Sequence, residues 1–79
     1  MQIKNNKLIE AKLDELHFID QVVRNLKHLE YMYMQGILRN DKELFGIQNS
    51  IEDWLFRASR VERFLNDNGC TEHLKYLNN

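Results

Sequence analysis

Leu44, Ile47, Ile51, Trp54, Ala58, Val61 and Leu65 recur at alternating steps of three and four residues, and the chain contains no proline to interrupt them. Steps of this kind return side chains to one side of an α-helix, so the run predicts a helix lying lengthwise against another. A broader stripe precedes it, with Ile9, Leu13, Leu16, Ile19, Val23, Leu26, Leu29, Tyr33 and Ile37 again three or four apart. It predicts a first helix over about residues 6–38, on the order of 45 Å long at about 1.5 Å per residue. Gly36 offers a stop, but Ile37 stays in phase with Tyr33, which places the break at Arg39, Asn40 and Asp41. Asn40 followed by Glu43 has the form of a capping box, in which the asparagine oxygen takes an orphan amide and the glutamate reaches back.

The second helix is expected over about residues 41–66, with Asn66, Asp67, Asn68 and Gly69 as its stop. Glycine suits the left-handed conformation that closes a helix. Thr71 can cap a short third helix over about residues 72–77. A competing signal lies at Gly46 to Ser50, where a break and a fresh cap before Glu52 and Asp53 are conceivable. The apolar spacing crosses that stretch without a phase shift, so one continuous helix is predicted.

A short connection between two long helices sets them antiparallel. The fold class is therefore all-α: an antiparallel helical hairpin plus a short C-terminal helix. One hairpin leaves part of each stripe wet, and Leu8, Val22 and Tyr31 widen the first one. Pairing two hairpins into a four-helix bundle covers them, so a homodimer, or a heterodimer of the same geometry, is expected, with Leu44, Ile47, Ile51, Trp54, Ala58, Val61 and Leu65 as the oligomer seam. Size points the same way. At 79 residues the chain is near the limit at which one core supplies only about 3 to 5 kcal/mol. Its single cysteine, Cys70, allows neither an internal disulfide nor a cysteine-rich zinc site.

Acids and bases nearly balance to a net charge of −1, which disfavours nucleic acid as the principal ligand. Met1 to Lys12 carries Lys4, Lys7, Glu10 and Lys12 without the apolar stretch of a secretory leader, and no run is long enough to span a membrane. A cytoplasmic location follows as the expectation. Nine asparagines alongside abundant lysine and isoleucine suggest an AT-rich coding sequence of a bacterial or phage kind.

No phosphate loop, nucleophile elbow, zinc-protease helix or calcium loop is present in the sequence. Asp14 and His17 have the helical spacing of a bundle metal site, but His28 is preceded at that spacing by Asn25, so no second copy of the motif exists. No cofactor, metal or catalytic residue is predicted. Asp20, Lys27 and Glu30 intrude on the first apolar stripe and Glu62 on the second, and His17 or Asp20 should lie level with Glu62. Such a cluster could tune a carboxyl group for proton transfer. The simpler reading is a polar layer that fixes register, with Asp20 paired to Arg24 and Glu62 meeting His17 or solvent.

On the outer side of the second helix Phe45, Phe56, Arg60 and Arg63 share one face, with Arg57 and Phe64 beyond them. Arginine and aromatic residues are enriched at binding hot spots, so this face is the candidate partner site unless the C-terminal segment covers it. Met32 and Met34 beside Tyr31 and Tyr33 form a cluster near the turn, suited to packing or to an adaptable contact. The expected function is a small intracellular protein-interaction module, an adaptor, assembly chaperone or inhibitor working through a helical surface. Its rivals are a nucleic-acid-associated regulator using Arg57, Arg60 and Arg63, and a small bundle enzyme built on His17, Asp20 and Glu62.

Overall fold

The computed structural model describes residues 6–72 and 74–77. Two helices make up the regular structure: α1, Asn6–Met34, and α2, Asp41–Asp67. They pack side by side as an antiparallel hairpin with overall dimensions of 53 × 19 × 17 Å. Helix α2 runs through Gly46 without a break, as its unshifted apolar phase requires. Among the described residues there is no strand, and no helix is long and apolar enough to cross a membrane.

Both helices end in the same way, and this moves the first boundary. Gly36 has φ of 80° and Gly69 has φ of 87°, the left-handed region that glycine enters without a steric cost. Gly36 N donates to Tyr33 O at 3.1 Å and Ile37 N to Met32 O at 2.9 Å. Gly69 N donates to Asn66 O at 3.2 Å and Cys70 N to Leu65 O at 2.8 Å. Each pair is the double bond of a Schellman closure. Helix α1 therefore stops at Met34 rather than at Leu38, because Gly36 reverses the chain even though Ile37 keeps the apolar phase. Ile37, predicted to be a core position, is 65% exposed.

Asn40 caps α2, its side-chain oxygen accepting from Glu43 N at 3.1 Å. The reciprocal half of the capping box is replaced. The Glu43 carboxylate accepts instead from the Tyr33 hydroxyl, tying the end of α1 to the start of α2. That acceptor raises the Tyr33 phenol above its usual pKa.

The core is the seam between the helices: Ile19 and Val23 of α1 against Ala58, Val61 and Leu65 of α2. Ile51 is buried farther along α2. Four of the residues expected in an oligomer seam are thus used within one chain, while Leu44, Ile47 and Trp54 stay half-exposed. Leu13 and Leu29, in phase with the core of α1, remain 43% and 37% exposed, since a single partner helix covers less than that broad stripe.

The segment after α2 departs from expectation. Among residues 71, 72 and 74–77 there are turns at 72 and 77 and a bend at 76, and none of them is helical, unlike the helix predicted at 72–77. A helix so short is marginal on its own, and here Leu74 and Tyr76 are drawn onto the core as an irregular strap.

The glycines give a test of opposite signs. An added Cβ meets nothing within 4 Å at Gly36, Gly46 or Gly69. Gly36→Ala or Gly69→Ala should cost about 1 to 2 kcal/mol through backbone strain alone. Gly46→Ala, in an exposed helix interior, should gain about 1 kcal/mol. Urea unfolding of the three variants measures all three values.

Candidate functional site

Glu62 has no exposed surface, although α2 would normally turn a charged residue outward. It sits one turn from Ala58 and beside Val61 on the face that meets α1. Burial of a carboxylate is tolerated where hydrogen bonds replace water. The strap supplies them: Lys75 N donates to one oxygen at 2.9 Å and Tyr76 N to the other at 2.6 Å. Two successive amides converging on one anion make a small backbone nest. Glu62 therefore meets neither His17 nor solvent, as the polar-layer reading supposed, but the chain's own C-terminal segment.

Asp20 holds the same segment from α1. Its carboxylate accepts from the Tyr76 hydroxyl at 2.5 Å and pairs with Lys75 Nζ at 3.3 Å and Arg24 Nε at 3.2 Å. The Arg24 pair is the one expected from sequence. The Tyr76 hydroxyl, helped by Lys75 and Arg24, holds the Asp20 carboxyl below its ordinary pKa despite burial. Burial first and then Asp20 push the Tyr76 phenol up to about 12. His17 shares a shallow cleft of about 220 Å³ with Asp20, Glu62 and Tyr76, yet is itself exposed and hydrogen-bonded to Gln21 at 3.3 Å. The three residues singled out for proton chemistry are brought together, with both carboxylates already bound to the strap.

Among the described residues no group of three or more histidine, cysteine or acidic side chains could hold a metal. Asp14 and His28 are exposed. Cys70 is half-buried at the end of the Schellman closure and packs on the core. In the cluster near the turn, Tyr31 and Met34 are 57% and 64% exposed.

The outer face of α2 is the second candidate. Phe45 and Phe56 are 66% and 64% exposed, and the strap lies elsewhere. The Arg60 guanidinium stacks over the Phe56 ring at 5.8 Å. Lys12, Glu15, Phe56, Arg57, Arg60 and Val61 line a cleft of about 420 Å³. Glu15 neutralises two of its cations, bonding Lys12 at 3.3 Å and Arg57 at 3.2 Å. Among the described residues no carboxylate pairs with Arg60 or Arg63. Because Glu62 points inward, the outward charges between Phe56 and Phe64 are all basic. In the sequence the one signal for this is the place of Glu62 on the apolar stripe, which turns it away from the arginines.

Two tests address the strap. Glu62→Gln leaves an amide group facing a backbone N–H, and the lost bond with its unsatisfied donor should cost about 1.5 to 3 kcal/mol in urea unfolding. For pH, the depressed Asp20 group stabilises the fold above its ordinary pKa of 3.8, a contribution lost as pH falls through the lower folded value. The raised Tyr76 group stabilises below its ordinary 10.0, and that contribution is lost as pH rises toward about 12. Ultraviolet titration should show Tyr76 as the last transition, after a Tyr33 that Glu43 also raises. Asp20→Asn should move the Tyr76 transition down only partway toward the ordinary value, because burial remains.

No family model, no curated protein and no solved structure matches this chain.

Proposed function

We propose that the chain is a small intracellular protein-interaction module whose partner site is the outer face of α2, with Phe45, Phe56, Arg60 and Arg63 as its contacts. The observation that carries this reading is the pairing of an exposed Phe56 with a stacked Arg60 that forms no ion pair among the described residues. Large apolar side chains left in water beside arginine are the composition of a binding hot spot. Two copies assemble as a four-helix bundle in the cytoplasm, leaving this face outward on each.

The engagement of Asp20 and Glu62 by the strap supports a structural role for both and no enzymatic one. A nucleic-acid role is the second reading, favoured by the one-signed outward charge of Arg57, Arg60 and Arg63. The half-exposed aromatic surface and the neutralisation of Arg57 by Glu15 weigh toward protein.

Affinity capture from source cells with the wild-type chain, followed by measured binding to what is captured, tests the face. Phe56→Ser with Arg60→Glu should preserve helicity by circular dichroism while weakening the complex by about 2 kcal/mol or more. An affinity that instead falls steeply with salt in the wild type, and tracks nucleic acid in the captured material, would move the assignment to the second reading. Unchanged affinity in the double variant would clear the face of any role.

A further inference from the structure

Helix α1 carries a second seam beside the one it buries. Ala11, Glu15, Phe18, Val22, Asn25 and Leu29 follow one another at steps of four and three residues, the a and d spacing of a helix packed along a partner. At about 100° per residue, Phe18 and Asp20 diverge to opposite sides of Ile19. Asp20 faces the strap, so the stripe of Phe18 looks across the other, uncovered face of the hairpin. Contacts to α2 agree: Phe18 meets Trp54 edge-on at 6.0 Å and Glu15 meets Arg57 at 3.2 Å. Phe18 is 57% exposed and Leu29 37%, with Val22 and Trp54 half-buried between them.

We propose that a second copy of this chain packs on this back face through a two-fold contact centred on Phe18, Val22 and Leu29, leaving both straps on the outside of the bundle. The inference rests on the two-copy reading above and names its face. Area argues for it. The chain exposes 6125 Å². A compact protein of its 9.6 kDa exposes about 5,100 Å², so the excess is on the order of 1,000 Å². A standard interface removes about 800 Å² from each partner. The radius of gyration makes the same point, at 15.5 Å against about 12 Å for a compact domain of this length.

The face is also its own complement, as a two-fold contact demands. Its apolar stripe can meet its own copy, and it carries Lys12 and Arg57 together with Glu15, so both signs of charge are present for cross-pairing. Asn25 within the stripe is the kind of polar seam residue that fixes register and copy number. The front face offers no such continuity, because the strap occupies the end of it that carries Leu16, Asp20 and Glu62.

Sedimentation velocity and Trp54 fluorescence of the full chain test this over a wide concentration range. The wild type should sediment as a dimer, and dilution should red-shift Trp54, the single tryptophan, as the back face is uncovered. Phe18→Glu with Leu29→Glu should raise the dimer Kd at least about a hundredfold. Glu52→Lys, at an exposed position on the other flank of α2, should leave it unchanged. A wild type that is monomeric throughout overturns the two-copy reading and this face with it. A wild-type dimer that survives Phe18→Glu with Leu29→Glu, or that dissociates without moving Trp54 emission, overturns this face alone. Should the double variant unfold, the wild-type fluorescence decides.

Discussion

A carboxylate placed between two apolar helices has to find donors, and this requirement at Glu62 organises the distal half of the molecule. Ala58, Val61 and Leu65 surround it on α2 and exclude water, so its oxygens are served by Lys75 N and Tyr76 N. Meeting that demand brings Leu74 and Tyr76 onto the core and sets the Tyr76 hydroxyl on Asp20. One buried acid thus decides where the strap lies, which face of the hairpin it covers, and which charges remain on the surface of α2. Removal of one partner from such an arrangement is costlier than its absence from the outset, because the other is left dry and unpaired.

The parts of the fold legible in the sequence are those governed by local periodicity and end chemistry. The hairpin, the continuity of α2 through Gly46, the Asn40 cap and the Gly69 stop all follow from side chains a few residues apart. The end of α1 is not legible for a related reason. Apolar phase and backbone conformation disagreed at Gly36, and the backbone won, since a left-handed residue reverses the chain whatever follows it. The strap was illegible because its determinant is a contact between Glu62 and residues 75 and 76, for which no periodic signal exists.

The two candidate surfaces divide in the same manner. Phe45, Phe56, Arg60 and Arg63 share a face by helical geometry, and the structure places the two phenylalanines in solvent. Their electrostatic setting depended on tertiary facts: the inward turn of Glu62 and the capture of Arg57 by Glu15. The expected oligomer seam shows the converse limit. Periodicity identified the residues that leave water, but a stripe does not say whether its cover comes from the same chain or another.

The connection between the helices has a kinetic consequence. Gly36, Asn40 and the Tyr33–Glu43 hydrogen bond gather all the end chemistry of that corner within a short span of chain. From there, cross-helix partners grow steadily farther apart in sequence, from Glu30 with Gln48 to Glu15 with Arg57. Short loops close at least entropic cost, which favours folding as a zipper from this corner outward. Glu62 lies near the far end of that zipper, and its carboxylate stays hydrated until both helices are already aligned. The dehydration step, and the docking of residues 74–77 that compensates it, therefore falls late, which keeps the nucleus of the fold free of the one group whose burial is expensive.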